Sequence, residues 1–364
     1  MKNRPIKIGV IGCGRVTESF HLPALKQLPN VEVAGLADID GERLNQVANQ
    51  FRVERRVADY SDLLADSSID CVAVCVPAQF HVEIALAALD AGKHLFVEKP
   101  LALTLEDCDR LIEKANLVEN KITVGFNLRH HRLIQEAKRI IQQGILGNIE
   151  AIRSNWTSAI RFRQEVPAWR NSRKSGGGAL FEIGVHHFDL WRFLLQRDVE
   201  EVYTLSHLEN GTDATATVTA KLSNGVIATS VFSEHTSDDN ELEIYGDKGR
   251  LRVSLYRYDG LELLSTATVR HGILNRLKKM AAQIKQIRKG VHVLRNGGDF
   301  KMSYLFEWRH FINAIQNDNP TLCSLEDGKK ALEVVLSSIE SAATNRPIKI
   351  KELQERVQSV SNLT

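Results

Sequence analysis

Gly12-Cys13-Gly14-Arg15-Val16-Thr17 follows a short apolar run and opens a helix-compatible one, the pattern of a turn that brings backbone amides against a pyrophosphate. The first glycine makes the turn and the second lets the backbone approach the ligand. Thr17 stands where the fingerprint normally has Gly or Ala, a departure at the point of close helix–strand packing. Asp38 ends the next apolar run, where a carboxylate accepts hydrogen bonds from both ribose hydroxyls and repels a 2′-phosphate. These features point to NAD before NADP. Arg43 keeps NADP open, and a helix-capping or turn carboxylate is the plainer alternative for Asp38. Lys99 ends a further apolar run, at the edge where open parallel sheets bind ligands, and its charge suits an alkoxide-like transition state. Glu182 and His186 are four apart, a spacing that shares one helix face, and histidine moves protons near neutral pH. No metal-ligand spacing accompanies them, so no metal is expected.

The elements that must hold these residues alternate in type. Strands are expected over residues 6–11, 31–37, 71–76, 94–97 and 122–125, with helices over 16–27, 41–51 and 81–91 between them. Such alternation predicts a doubly wound parallel sheet. After residue 127 strand-like runs at 215–221, 226–232, 242–245 and 251–256 succeed one another without helices, and Asn224-Gly225 and Asp247-Lys248-Gly249 read as hairpin turns using positive φ. Helices over 132–143, 178–195, 304–316 and 325–344 should cover one face of that second sheet, and a second subunit the other. The expected fold class is α/β: an N-terminal Rossmann domain with a doubly wound parallel sheet (1–126), then a C-terminal α+β domain with a large, mostly antiparallel sheet (127–364).

Composition narrows the partners. With 47 Lys and Arg against 45 Asp and Glu, the net charge of +2 gives no reason to expect a nucleic-acid partner. No apolar run approaches the roughly 18 residues of a membrane span. Five cysteines are odd in number, and the strand-like spacing of Cys71 and Cys75 puts them beyond disulfide reach, which fits a reducing cytoplasm. Residues 270–295 carry a local basic excess, read as a solvated amphipathic helix at an oligomer edge or as contact with an anionic substrate or membrane surface.

Gly12-Cys13-Gly14, Asp38, residues 77–81, Ala91-Gly92-Lys93-His94, Glu98-Lys99-Pro100 and residues 176–189 together resemble the Gfo/Idh/MocA oxidoreductase family over nearly the whole chain. The resemblance implies an NAD(P)-dependent dehydrogenase acting on a CH–OH group of a sugar or polyol, neutral or anionic. It implies that Lys99 contacts the reacting hydroxyl, that His186 is the general acid/base, that Glu182 shares the catalytic face, and that the Lys99–Pro100 bond is cis. Gly12, Cys13, Gly14, Arg15, Val16, Asp38, Pro77, His81, Glu98 and Lys99 become the candidate cofactor contacts. Arg129, Trp169, Arg173 and Asp189, flanked by Arg170, become the candidate substrate contacts, with Asp189 also suited to orienting or packing and His187 pointing elsewhere. The family usually has Asp where this chain has Glu182, which implies either a reshaped pocket or altered chemistry, a different substrate being the first explanation. Two other activities occur on this architecture: a sugar-processing enzyme that retains its NAD, and a non-catalytic NAD-binding regulator. A homodimer or homotetramer through the C-terminal sheet is expected.

Overall fold

The computed structural model describes residues 4–163, 166–265 and 297–361; the basic segment 270–295 lies outside them. The chain divides into two compact units. The first comprises residues 1–127, 174–176 and 304–332, and the second 128–173, 177–303 and 333–364.

The first unit is built on six parallel strands in the order β3-β2-β1-β4-β5-β6. They are β1 (Ile6–Ile11), β2 (Val31–Ala37), β3 (Arg56–Val57), β4 (Cys71–Val74), β5 (His94–Glu98) and β6 (Ile122–Gly125). Ile8, Val10, Val72, Val74, Phe96 and Val97 of the central strands are fully buried. Burial on both faces is why these strands read as continuous apolar runs. β3, two residues paired with Leu36 and Ala37, is too short to carry a periodic signal. The helix after β1 also departs from the plain α-helix expected at 16–27. Thr17–His21 forms a π-turn and Leu22–Leu25 one α-turn, with Pro23 lacking the amide that would extend a regular ladder through this point.

The second unit carries eight strands in the order β13-β12-β11-β7-β10-β9-β8-β14. They are β7 (Ile149–Thr157), β8 (Val199–Glu209), β9 (Thr212–Leu222), β10 (Ile227–Ser233), β11 (Asp239–Gly246), β12 (Gly249–Ser254), β13 (Leu261–Ser265) and β14 (Ile348–Lys349). All pairs are antiparallel except β7 with β10. Central β7 was missed in the sequence because Ser154 occupies a buried position, where its hydroxyl accepts from Trp191 Nε1 at 3.1 Å. Asn224 and Gly225 take the positive φ expected of their turn, 68° and 83°. Gly249 does not: it is needed because a Cβ there would lie 2.8 Å from the Leu264 carbonyl oxygen.

Part of the helical cover expected for this sheet does not lie in its unit. The helix Asp299–Asn317, from Tyr304 onward, and residues up to 332 belong to the first unit instead. There Trp308 stacks on Phe96 of β5 with centroids 4.4 Å apart, and Thr123 Oγ1 donates to the Cys323 carbonyl at 3.2 Å. Gly328 permits this approach, since its Cβ would stand 3.0 Å from Leu101. In the second unit the helix Val185–Leu195 packs on the sheet through Phe188, whose ring meets Phe232 of β10 edge-on at 5.4 Å. Phe232 is fully buried and also faces His187. Phe232→Ala is therefore expected to lower stability by about 3–5 kcal/mol in urea unfolding, whereas a loss below about 1 kcal/mol would mean that the interface collapses around the cavity.

Candidate active site

The glycine turn is fixed by backbone approach. β1 runs into Gly12, whose φ is +99° and whose Cβ would lie 2.3 Å from the Cys75 carbonyl oxygen after β4, so no side chain fits. Gly14 is exposed with nothing within 4 Å of a Cβ, leaving open space over the turn, and Arg15 and Val16 beside it are also exposed. Thr17 is buried and its Oγ1 donates to the Gly12 carbonyl at 2.7 Å, so the residue that departs from the fingerprint braces the turn. Asp38 Oδ2 accepts the Cys13 amide at 2.6 Å and Oδ1 the Asp40 amide at 2.9 Å. The Cys13 amide thus serves Asp38, while the carboxylate, with about four lone-pair positions, retains capacity for two further donors. Burial pushes the Cys13 thiol up to about 12. Arg43 donates from Nε to the Cys13 carbonyl at 2.9 Å and pairs with Glu18. The cation nearest to Asp38 in sequence is occupied twice. Ile39, which no motif marks, is 94% exposed beside Asp38, an apolar surface suited to the face of a base. An open glycine turn, an anchored carboxylate and this apolar shelf fit a dinucleotide.

At the carboxyl end of β5, Glu98 is buried. Its Oε2 accepts the Lys99 amide at 3.0 Å and its Oε1 meets His21 Nε2 at 2.8 Å. Burial works to raise this carboxyl, but the His21 hydrogen bond and the charge of Lys99 bring it below the usual range. Lys99 is half-buried and its bond to Pro100 is cis. Pro77 leads from β4 into the short turn Ala78–Phe80. His81 lies buried behind it, with Nε2 2.8 Å from the Val76 carbonyl and Nδ1 2.8 Å from the Pro100 carbonyl. Its visible contacts are to backbone, tying the loop after β4 to the turn after β5.

In the second unit Gly177 and Gly178 are required by close approach: their Cβ atoms would meet the Arg170 carbonyl at 2.2 Å and Asp213 at 2.6 Å. Asp213 Oδ2 accepts the Leu180 amide at 2.6 Å, and Arg173 approaches its other oxygen at 3.2 Å. Burial raises Asp213 against these donors. The segment Leu180–Gly184 is a π-turn preceding the helix Val185–Leu195, so the α-helical face expected for Glu182 and His186 is not regular between them. Glu182 pairs with Arg170 at 2.9 Å. Arg170 also pairs with Glu234, which holds Arg161 at 3.1 Å. The longer carboxylate therefore reaches a guanidinium, and the difference from Asp is absorbed in an ion-pair cluster. His186 is 5% exposed with its ring 5.2 Å from that of Trp156. Arg129 and Asp189 form a buried ion pair, with Nε–Oδ2 at 2.9 Å, and Trp169 is half-buried on the turn Ala168–Asn171. Asp213 and Glu234, both missed in the sequence, lie in or beside strands outside any motif. Among the described residues no cluster of three or more His, Cys, Asp or Glu is arranged to hold a metal, and no helix is long and apolar enough to cross a membrane.

The family model described as "Oxidoreductase family, NAD-binding Rossmann fold" matches residues 6–126, and that described as "Oxidoreductase family, C-terminal alpha/beta domain" matches residues 138–350. The chain is 27% identical to a myo-inositol 2-dehydrogenase of Thermotoga maritima over 96% of its own length and 99% of the relative's. It is 30% identical to a dTDP-3,4-didehydro-2,6-dideoxy-alpha-D-glucose 3-reductase of Actinomadura kijaniata, over 68% of this chain and 74% of that one. A solved structure of a probable dehydrogenase from Thermotoga maritima superposes with a TM-score of 0.77 at 26% identity, covering 95% of this chain and 99% of the other.

His187, beside His186, is fully buried with Nε2 3.1 Å from Asn240 Oδ1, and burial lowers its pKa to about 4. A histidine depressed in the fold contributes stability that is present above about pH 6.5 and lost as pH falls toward 4. The loss is at most about 3 kcal/mol at 1.36 kcal/mol per unit. Urea unfolding from pH 7 to 4.5 should show a steeper fall for the wild type than for His187→Leu; equal slopes would mean that His187 takes up its proton inside the fold.

Proposed function

The chain belongs to the Gfo/Idh/MocA oxidoreductase family, and from that premise we propose that it is an NAD-dependent dehydrogenase acting on a secondary hydroxyl of a sugar or polyol, or on the corresponding ketone. The observation that carries this reading is that Lys99 leaves the carboxyl end of β5 in the same parallel sheet whose β1 runs into the open glycine turn. Ligands of such sheets bind beyond the carboxyl ends of the strands. The anchored Asp38 and the doubly occupied Arg43 support NAD over NADP. When bound, the nicotinamide ring supplies the hydride acceptor or donor. In oxidation His186 removes the hydroxyl proton and Lys99 stabilises the charge developing on the oxygen; in reduction both roles reverse. Glu182, paired with Arg170, orients its loop.

A neutral substrate fits best. Arg129, Arg161, Arg170 and Arg173 each face a carboxylate of their own unit, namely Asp189, Glu234, Glu182 with Glu234, and Asp213. The relative matched over nearly its full length is named for a neutral cyclic polyol. No disulfide joins the five cysteines, which supports a reducing, cytoplasmic setting. We also infer a homo-oligomer. Tyr203, Leu205, Ile227 and Val231 stand outward on β8 and β10, and on the far side of β7 the Glu241 and Glu243 carboxylates of β11 pair with arginines of β7 and β12. An apolar face of this kind, beside mixed charge, suits a second copy related by a twofold axis.

Thermal unfolding of the wild type should rise with NAD more than with NADP, and Asp38→Ala should reduce the NAD shift. Lys99→Met and His186→Asn should keep an NAD shift while kcat on neutral sugars and polyols falls roughly 10²–10⁴-fold. No shift with either nucleotide, in protein freed of carried-over ligand, would overturn the reading. Product formation without free NADH would instead favour a retained-cofactor enzyme, and an NAD shift without any turnover a regulator. In sedimentation, Leu205→Lys with Val231→Glu should convert the oligomer to monomer; an unchanged mass would place the interface elsewhere.

A further inference from the structure

Behind Lys99 lie three buried groups that the reaction as proposed does not use. His21 is fully buried inside an aromatic cage, with Phe96, Tyr304 and Trp308 at centroid distances of 5.3, 5.3 and 5.9 Å. Its two ring nitrogens have unlike partners. Trp308 Nε1 stands 3.0 Å from Nδ1, and an indole N–H can only donate. Nδ1 must therefore present its lone pair, which leaves the ring proton on Nε2, directed at Glu98 Oε1 at 2.8 Å. Glu98 Oε2 accepts the amide of Lys99 at 3.0 Å. The direction of each bond in the chain is thus determined, from indole to imidazole to carboxylate, with the Lys99 backbone on the far oxygen.

We infer that His21 is a positioning residue for Lys99: held by Trp308 in its Nε2–H tautomer, it keeps the Glu98 carboxylate ionised and oriented, and that carboxylate fixes the backbone from which the Lys99 side chain springs. The inference rests on the assignment of Lys99 to the dehydrogenase reaction. Burial opposes a charged His21 ring, but Cys75 and Glu98 outweigh it and push the imidazole above its usual range. The indole works against that charged form, because a proton on Nδ1 would face the indole proton. Glu98 is faced by His21, by Lys99 on its own chain, by His81 and by Tyr304, with Cys75 and Glu307 also bearing on Tyr304. Of these, the His21 ring proton and the Lys99 amide are the hydrogen bonds that stabilise the charged form, and without His21 burial would favour the neutral acid. A neutral Glu98 offers Lys99 no counter-charge.

Three variants test this: His21→Gln, whose side-chain amide can both accept from Trp308 and donate to Glu98, His21→Leu, which can do neither, and Trp308→Phe. Kinetics from pH 5 to 10 on a neutral polyol should give His21→Gln a wild-type pH profile with kcat within a few-fold. For His21→Leu, kcat should fall roughly 10- to 100-fold, the loss expected of an outer positioning contact, with KM for the polyol changed less and the acid limb moved to higher pH. In ¹⁵N spectra of histidine-labelled protein, wild-type His21 should show one protonated and one unprotonated ring nitrogen throughout this range, and Trp308→Phe should convert the ring to imidazolium. A His21→Leu variant that loses stability but keeps the kcat and acid limb of the wild type overturns the inference. So does an equal loss in His21→Gln and His21→Leu, or a protonated Nδ1 in the wild type. If the wild type turns over no polyol, the dehydrogenase reading fails, while the spectra still report whether the hydrogen-bond chain exists.

Discussion

A carboxylate removed from water must be met by donors or it destabilises the fold by several kcal/mol, and that constraint shapes both units of this chain. Glu98 is met by an imidazole and an amide, Asp38 by two amides, Asp189 by a bidentate guanidinium, and Asp213 by an amide and a guanidinium. In each case at least one donor comes from a distant stretch of chain, so the acid fixes a loop to a strand or one helix to another. The chemistry-bearing residues sit on these joints. Lys99 follows one such acid, the glycine turn hangs from a second, and the turn carrying Glu182 is pinned by a third.

The ion pairs of the second unit obey the same rule with a different result. Glu182, Glu234, Arg161 and Arg170 form a cluster in which each charge has at least one opposite neighbour. Removing one member would strand its partner in a low-dielectric setting, whereas lengthening one, as Glu for Asp does at 182, is accommodated by an arginine that reaches two carboxylates. Charge balance in such a cluster constrains the loop more tightly than side-chain length does. The familiar pattern can therefore vary at this position without unravelling the loop around it.

Much of the first unit was legible because strands buried on both faces leave apolar runs and a glycine forced by backbone contact leaves a gap that no other residue fills. The glycine turn, Asp38 and Lys99 could be found from those signals. His21 and Trp308 could not: neither belongs to a local motif, and their meeting is made by a helix 287 residues farther along. Thr17 was legible as a departure, but its compensating hydroxyl contact was not. In the second unit the hairpin at Asn224-Gly225 was plain, while β7 was hidden by a buried serine whose partner, Trp191, lies on another element. The face expected for Glu182 and His186 failed for a related reason, since nothing in the spacing separates a π-turn from an α-turn.

The return of residues 304–332 to the first sheet has a consequence for biosynthesis. Phe96 and Glu98 emerge from the ribosome long before Trp308, and β6 is joined to Cys323 by a hydrogen bond spanning 200 residues of sequence. At about 5–20 residues per second, the nascent sheet waits roughly 10–40 s for the segment that seals its edge. Until then the indole that sets the imidazole tautomer is missing, and the apolar face of β5 around Phe96 is open to water and to neighbouring nascent chains. A nucleotide-binding half that looks autonomous in sequence is in this sense a late-maturing one, whose most vulnerable interval falls in the second half of translation.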